Sequence, residues 1–425
     1  MKLAKRLAVK YLSATAILVL LAFGRVPVAR AISNASNGSR VAGVSRNGNN
    51  MEVFWIDLSG AVNHAFWNGG DWGGIVTANP GATNAAASLT AVSRDANYWE
   101  VFYPTTAGVL NHVYWENPNQ YGPYAVKASI NNVAPTGGIS AVSRDTNYID
   151  VFYVTPAPNP MIMHVYWISG SGWSDPIIVA SANVLPNTSI AAISRKSNTI
   201  EVFWVGNDYS IQHAYWYDTI GWAGPFALTN PNTVDGWSAQ PDLAVVSRNP
   251  YDKLEVFFRG REMYQKLHHV YWSEGVPENG FWSGKTQIPG SIYAASGKLA
   301  AISRASDAIE VFFHGTDYEV HHTYWDGSNW NNGGIVNASE SRGDALGGIA
   351  AVTRASSSTQ MEAWFPTPCS RALQASYTGS NFDFTRGCRA RCAWREGGGL
   401  VGLARELSRS LGLESSLAER GVDLE

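Results

Sequence analysis

One sequence pattern occurs six times along this 425-residue chain and begins a seventh time. It consists of Ser-Arg after Val or Ile, a polar turn, an acid followed by Val-Phe and an aromatic residue, a second turn, and His-x-Tyr/Phe-Trp. Successive copies are 48, 50, 51, 53, 56 and 50 residues apart, as measured between Arg46, Arg94, Arg144, Arg195, Arg248, Arg304 and Arg354. This self-similarity predicts a repeat architecture, and each repeat also repeats the surface it exposes. We therefore expect the function to be multivalent.

The fourth copy shows the secondary structure of one repeat most clearly. Four short segments rich in β-branched and aromatic residues, at 190–195, 200–205, 210–217 and 221–228, are separated by turns of Gly, Asn, Asp, Lys and Ser. Such segments predict four antiparallel strands, and no helical periodicity interrupts them. Four-stranded sheets repeated at this period indicate an all-β fold, the β-propeller.

Blade number depends on the seventh copy, which keeps the first two strands and then departs from the pattern. We place Ala375 at its His position and Thr378 at its Trp position. We predict a propeller over 32–378 with seven blades, the seventh degenerate, and six blades as the alternative. Residues 379–425 form an Arg-rich segment of different composition, which we interpret as a helical or disordered tail or as an altered reading frame.

The N-terminus has the features of a secretory signal peptide. Lys2, Lys5, Arg6 and Lys10 precede a short apolar stretch at 13–23, and the small residues of Ala29-Arg30-Ala31 predict cleavage before Ile32. The stretch is too short to span a bilayer comfortably. We therefore expect residues 1–31 to be removed and the protein to be secreted, with no membrane span.

Composition limits the class of ligand. Charged residues make up only 15% of the chain, aromatic residues 12%, with 17 Trp, and the formal net charge is −3. This balance gives no basic surface for nucleic acid. Many aromatic residues with few charges are typical of surfaces that bind sugars, although the same aromatics also build cores.

Two polar positions recur in the repeats and are candidate sugar ligands. The acids open the second strand, and the histidines lie 12 or 14 residues later on the third strand, so adjacent antiparallel strands can bring them side by side. They form either a hydrogen-bonded network that stabilises each blade or a polar pocket between blades. The acids are Glu52, Glu100, Asp150, Glu201, Glu255, Glu310 and Glu362, and the histidines are His64, His112, His164, His213, His269 and His322.

Aromatic residues recur at two further positions. A Trp that ends the third strand is expected to pack between blades, at Trp67, Trp115, Trp167, Trp216, Trp272 and Trp325. A second aromatic lies in or beside the next turn, where exposure would allow it to stack on a ligand. These turn aromatics are Trp72, Tyr121, Trp173, Trp222, Trp282 and Trp330.

Metal binding and catalysis find little support in the sequence. Isolated histidines on separate blades do not form a close-spaced metal cluster. A hydrolase site is an asymmetric constellation, whereas the polar set here is repeated in each copy. We expect no metal, no cofactor and no catalytic residue.

The repeat resembles that of the bacterial seven-bladed propeller lectins of the Photorhabdus type, and is more distantly similar to the six-bladed fungal fucose-specific lectins. The resemblance covers about 41–377. It implies sugar sites between neighbouring blades. Fungal members use an Arg on the second strand and a Glu 12 residues later, places that hold an acid and His here, for example Glu52 and His64. The bacterial group shares the Ser-Arg and acid-Val-Phe segments.

The resemblance implies a secreted, non-catalytic, multivalent lectin for fucose or related glycans, including O-methylated ones, on cell surfaces or glycoproteins. An oligomer is compatible with the sequence. Two alternatives remain, a secreted propeller glycosidase and a propeller scaffold for protein interactions without a sugar site.

Overall fold

Short apolar segments between turns form strands, and the residues that the structure describes contain 31 of them, β1 to β31. The computed structural model describes residues 32–33, 40–73, 76–79, 84–86, 88–229, 239–248, 253–261, 266–273, 281–283, 286–289, 298–315, 317, 319–336, 347–354, 360–367, 371–377 and 382–384. The strands form seven separate antiparallel sheets, which we number blades 1 to 7 in chain order. None of the described residues forms a helix that could cross a membrane.

Blades 1 to 3 each run outward from an inner strand through successive hairpins. Blade 1 contains β2 (Val41–Asn47), β3 (Asn50–Ile56), β4 (Val62–Trp67) and β5 (Val76–Thr77). Blade 2 contains β6 (Thr90–Val92), β7 (Tyr98–Pro104), β8 (Leu110–Glu116) and β9 (Asn119–Ala125). Blade 3 contains β10 (Ile139–Asp145), β11 (Tyr148–Val154) and β12 (Ile162–Ile168), with β13 (Gly172–Trp173) and β14 (Ile177–Ala180) sharing the outer position.

Blades 4 to 6 repeat this order. Blade 4 contains β15 (Ile190–Ile193), β16 (Thr199–Val205), β17 (Ile211–Tyr217) and β18 (Gly221–Ala227). Blade 5 contains β19 (Ala239–Arg248), β20 (Lys253–Gly260) and β21 (Leu267–Ser273), with β22 (Phe281–Trp282) and β23 (Thr286–Gln287) at the outer edge. Blade 6 contains β24 (Ala300–Ala305), β25 (Ala308–His314), β26 (Val320–Trp325) and β27 (Trp330–Ile335).

Blade 7 combines strands from the C-terminal end of the propeller with one strand that precedes blade 1. Its three inner strands are β28 (Ala350–Thr353), β29 (Met361–Thr367) and β30 (Arg371–Tyr377). The outer edge of β30 pairs with β31 (Phe382–Phe384) and with β1 (Ile32–Ser33), which precedes blade 1 in sequence. The all-β propeller with an irregular seventh blade is thus confirmed. The signal peptide at 1–31 and most of the tail lie outside the described residues, and the domain boundaries stay predictions.

The register of blade 7 corrects the sequence alignment of its third strand. In blade 1, Phe54 is opposite His64 and Met51 is opposite Trp67. In blade 7 the corresponding partners are Trp364 with Gln374 and Met361 with Tyr377. Gln374 therefore occupies the His position and Tyr377 the Trp position, one residue before the predicted Ala375 and Thr378. The prediction was wrong because spacing alone does not fix the length of the turn before β30, and a one-residue slip moves every side chain to the other face.

The core lies between blades. Alternate residues of each second strand point to opposite faces, so Val53 and Trp55 pack against blade 7 whereas Phe54 and Ile56 pack against blade 2. Because both faces are covered, the second strands are apolar almost throughout and buried. Burial of each such side chain stabilises the fold by about 2 kcal/mol.

Contacts between blades 7 and 1 close the ring. Val41 and Trp55 of blade 1 share one buried cluster with Val352 and Trp364 of blade 7. Gly43 is required there, because a Cβ at this position would lie 2.8 Å from the Trp364 ring. The absence of a side chain at Gly43 therefore lets the inner strand of blade 1 lie close to Trp364 of blade 7.

Candidate functional site

The recurrent Arg, acid and His converge within each blade. In blade 4, Arg195 Nη2 lies 2.8 Å from Glu201 Oε1, and His213 Nε2 lies 2.6 Å from Glu201 Oε2. The register explains the contact, because the acid and the residue opposite the His are two positions apart on the same face of the second strand. Each carboxylate oxygen of Glu201 thus has its own partner.

The same arrangement recurs, with variations, in the other blades that carry the His. In blade 3, Arg144 Nε donates to Asp150 Oδ2 at 2.7 Å, and His164 Nε2 lies 2.9 Å from Asp150 Oδ1. Blades 1, 5 and 6 contain the equivalent sets Arg46–Glu52–His64, Arg248–Glu255–His269 and Arg304–Glu310–His322. In blade 7, Arg354 bonds Glu362 with Nε at 3.2 Å.

Burial distinguishes the acid from a ligand-facing group. None of the seven acids is more than 3% exposed, and the six histidines are also buried. A buried carboxylate is stable only when it is paired and hydrogen-bonded, and the Arg and His supply those partners. These contacts favour the structural interpretation for the acids, while their predicted contact with sugar stays a prediction.

Blade 2 replaces the Arg contact with a tyrosine. Tyr98 donates its hydroxyl proton to Glu100, and His112 Nδ1 contacts the other Glu100 oxygen. Burial and the Glu100 carboxylate raise the pKa of Tyr98, so the phenol stays protonated. Arg94 instead lies over the Tyr98 ring, 3.7 Å from its centroid, and donates to Thr146 O in blade 3.

Five of the repeat arginines, Arg46, Arg94, Arg144, Arg195 and Arg354, also contact a Trp of the next blade. The guanidinium of Arg46 lies 4.7 Å from the centroid of Trp115, and that of Arg195 lies 4.2 Å from Trp272. Arg354 of blade 7 lies 5.1 Å from Trp67 of blade 1, which repeats the contact across the ring closure. Cation–π contacts of this kind contribute about 1 kcal/mol each. The predicted packing of the strand-ending Trp residues between blades is confirmed for these positions.

Most turn aromatics lie against the preceding blade. Trp222 of blade 4 packs edge-on against Phe152 and His164 of blade 3, with ring centroids 5.8 and 5.5 Å apart. Trp173, Trp282 and Trp330 make the equivalent contacts, and Trp72 contacts Trp364 of blade 7. All five indoles are half-buried, so each covers an interface and keeps part of its surface accessible.

The interface between blades 1 and 2 differs from these. Trp115 is opposite Gln120, whereas Trp216 in blade 4 is opposite Trp222. Gln120, and not the predicted Tyr121, therefore occupies the turn position of the other blades. Tyr121 stacks on Tyr114 and is 38% exposed. The sequence alignment missed this because it matched residue type and did not know the length of the hairpin.

An indole still covers His64, but it comes from another strand. Trp99 opens the acid-Val-Phe segment of β7 and packs against Phe54 and His64, with both ring centroids 5.0 Å away. The equivalent residue in blade 4 is Ile200. Trp99 was not among the predicted site residues, although it is the only Trp at this position in the seven copies.

Replacement of a turn indole by Gln120 leaves a cavity of about 530 Å³ between blades 1 and 2. Its polar lining consists of six carboxamide side chains together with Arg46, His64 and the predicted site residue Glu52. The lining includes Asn47, Asn50, His64, Phe66, Asn68, Asn97, Trp99, Trp115, Asn117 and Gln120.

Several of these polar groups are available to a ligand. His64 lines the cavity, and its Nδ1 contacts Glu52 at 3.3 Å. Within the described part of the chain, the side chains of Asn50, Asn97 and Asn117 form no hydrogen bond with protein. A carboxamide donates two hydrogen bonds and accepts two, which matches a ligand that carries several hydroxyl groups. Among the described residues, no group of three or more His, Cys, Asp or Glu could hold a metal ion.

Comparison with known proteins supports the fold. No protein-family model and no curated protein matches the sequence. The BP39L lectin from Burkholderia pseudomallei is similar in structure, with a TM-score of 0.69 and 19% identity over 83% of this chain and 98% of that one. AofleA from Arthrobotrys oligospora gives a TM-score of 0.52 with 19% identity over 72% of this chain and 86% of that one.

A third similar structure is the lectin from Aleuria aurantia, described as six-bladed with a fucose recognition mode of its own. It gives a TM-score of 0.51 and 17% identity over 72% of this chain and 98% of that one. A mutant of the same lectin was solved in complex with Fucα1-6GlcNAc. The chain therefore shares the β-propeller fold of these lectins.

Proposed function

We propose that this protein is a secreted, non-catalytic lectin and that the cavity between blades 1 and 2 is its best-formed sugar site. The main observation in support of this proposal is the cavity itself. Its volume of about 530 Å³ lies within the range of about 300–1,000 Å³ usual for small-ligand pockets. Its walls combine carboxamides for hydroxyl groups with aromatic surface for the C–H face of a sugar ring.

The ligand class that fits the cavity best is fucose or a related sugar, including O-methylated forms. Asn50, Asn97 and Asn117 would bond hydroxyl groups, and Phe66 offers an apolar wall to a methyl group. The fucose ligands named for the structural neighbours support this choice.

Multivalence would come from the equivalent positions at other interfaces. There the acid and His pair is retained behind a turn indole whose remaining surface is accessible. We expect these positions to bind sugar more weakly than the cavity, by stacking alone. Several weak sites on one chain give high avidity on a surface that presents many copies of a glycan.

A glycan array with the full-length mature protein tests the proposal. We expect binding to fucosylated or O-methylated glycans and elution by free L-fucose or its methyl derivative. Release of sugar from the bound glycan would contradict the lectin proposal and would indicate a glycosidase. Binding to no glycan would leave the protein-interaction scaffold.

Secretion is a separate proposal. Strand β1 begins at Ile32, the first residue after the predicted cleavage site, and pairs with Ala372 of blade 7. A mature chain that starts at Ile32 would keep this pairing. N-terminal sequencing of protein recovered from the medium should begin at Ile32, and retention of residues 1–31 would contradict the proposal.

A further inference from the structure

The seven blades also present one equivalent residue each at an end of the central channel. In each blade, one residue of the inner strand is paired with the Phe of the acid-Val-Phe segment, or with Trp364 in blade 7. The equivalent residues lie two positions before that inner-strand residue. Most are small or polar, and two are cationic. In blade order they are Arg40, Ser88, Gly138, Ser189, Asp242, Lys298 and Gly348.

Four of them form a polar cluster across the channel. Arg40 Nη2 of blade 1 donates to Ser189 Oγ of blade 4 at 3.1 Å, and Lys298 Nζ of blade 6 donates to the same oxygen at 3.2 Å. Ser189 donates its proton to Asp242 Oδ1 at 2.7 Å. The Ser189 hydroxyl therefore uses its donor and both acceptor positions within the cluster.

Asp242 is the only acid of the ring, and both of its oxygens are engaged. Oδ1 accepts from Ser189 and lies 3.5 Å from Lys298 Nζ, while Oδ2 accepts from Leu299 N at 2.7 Å. Asp242 is 6% exposed. One engaged carboxylate thus lies beside two cations, Arg40 and Lys298.

The surroundings disfavour this positive charge. Burial, together with the nearby cation Arg40, lowers the pKa of Lys298 to about 8, with Arg259 of blade 5 adding to the effect and Asp242 opposing it. Burial also lowers the pKa of Arg40, against the attraction of Asp242.

The channel offers room for an anion beside these cations. A cavity of about 270 Å³ is lined by Arg40, Asp242 and Lys298 together with inner-strand residues of all seven blades. Lys298 has three N–H donors, of which two are directed to Ser189 and Asp242. In the part of the chain that the structure describes, the third has no protein acceptor.

We propose that this end of the channel binds a small oxyanion, a carboxylate, sulfate or phosphate group, between Arg40 and Lys298. The guanidinium supplies planar donors suited to two anion oxygens, and the ammonium supplies a concentrated charge. The site is distinct from the cavity between blades 1 and 2. Arg40 and Arg46 lie at opposite ends of the first inner strand, about 20 Å apart at the usual rise per residue, and only Arg46 lines that cavity.

Calorimetric titration of the full mature protein with sodium sulfate tests the site, because sulfate keeps its charge across the relevant pH range. At constant ionic strength we expect saturable binding at about pH 7 that weakens at least tenfold at about pH 9.5, where Lys298 has lost its proton. Lys298→Gln should weaken sulfate binding at about pH 7 at least tenfold. The control Lys196→Gln removes one positive charge from an exposed turn and should bind sulfate as the wild type does.

Lys298→Arg keeps the charge and does not titrate in this range. It should bind sulfate equally at both pH values, and it provides a second test if Lys298→Gln does not fold. Absence of saturable sulfate binding by the wild type would overturn the proposal. The same follows if Lys298→Gln binds as tightly as the wild type, or if Lys298→Arg retains the full pH dependence.

Discussion

Two interfaces of the same propeller use the same repeat in different ways. Between blades 3 and 4, Trp222 covers Phe152 and His164 and fills the space at the turn. Between blades 1 and 2, Gln120 takes the turn position, Trp99 covers His64 from another strand, and a cavity remains. The comparison shows that the filling of an interface depends on the residue at the turn position, in a hairpin that is one residue shorter in blade 2 than in blade 4.

Loss of the filling indole should give the largest effect on stability. Trp222→Ala removes the contact with blade 3, and we expect the free energy of unfolding to fall by about 3 kcal/mol, as for large core truncations. Chemical denaturation measures this change. Ile220→Ala, in the same turn but 61% exposed, is the control and should cost less than about 0.5 kcal/mol. Equal losses in both variants would contradict the role assigned to Trp222.

The open interface can be converted into the filled type. Trp99→Ile gives blade 2 the residue of blade 4 and should cost about 2 kcal/mol, because His64 loses its cover. Adding Gln120→Trp should recover at least about 1 kcal/mol, since the new indole would take the position that Trp222 has in blade 4. Additive losses in the double variant would show that the two positions are not alternatives.

Gln120→Trp alone should affect binding more than folding. An indole at this position would fill the cavity between blades 1 and 2, and we expect sugar affinity to fall at least tenfold, or about 1.4 kcal/mol. Calorimetric titration with the sugar identified on the array gives the measurement. Tyr121→Ala, which removes an exposed ring beside Gln120, should bind normally. Unchanged affinity of Gln120→Trp would exclude the cavity as the sugar site.

The smallest expected effect is a dependence of stability on acid pH, shared by blades 1 and 4. Burial would raise the pKa of Asp57, but hydrogen bonds from Ser59, Ala61 and Asn63 outweigh it and hold the pKa below its usual range. The pKa of Asp208 is lowered in the same way by Ser210 and Asn183. Because the folded pKa values are depressed, the stabilisation is present above about pH 4 and is lost as the pH falls further.

Denaturation at neutral pH and below about pH 4 should show this loss in the wild type, by a few tenths of a kcal/mol for each group. Asp57→Asn and Asp208→Asn should each reduce the loss by a similar amount. If both variants keep the full acid sensitivity of the wild type, other carboxylates account for it.

Much of the fold follows from the repeat. The acid-Val-Phe and Ser-Arg segments recur at the period of a blade, and this recurrence predicts the β-propeller of four-stranded sheets that the structure shows. The third strand of blade 7 was misaligned by one residue, since no recurring His or Trp fixes the turn before it.

The site was only partly predictable. The pairing of Glu201 with His213 follows from their spacing on adjacent strands, and the structure places them in contact. Trp99 was missed because it belongs to the second strand, where a bulky apolar residue is expected in any blade. Tyr121 was chosen for its aromatic ring, whereas the register assigns the position to Gln120.

The sequence is sufficient to predict the number of repeats, the strands of a regular blade and the pairing of an acid with a His in six blades, because these depend on spacing along neighbouring strands. The tertiary structure was needed to show the cavity between blades 1 and 2, the pairing of β1 with blade 7, and the cluster of Arg40, Ser189, Asp242 and Lys298 at one end of the channel. Those features join residues from different blades. Their distances depend on how the ring closes, and no local pattern in the sequence records it.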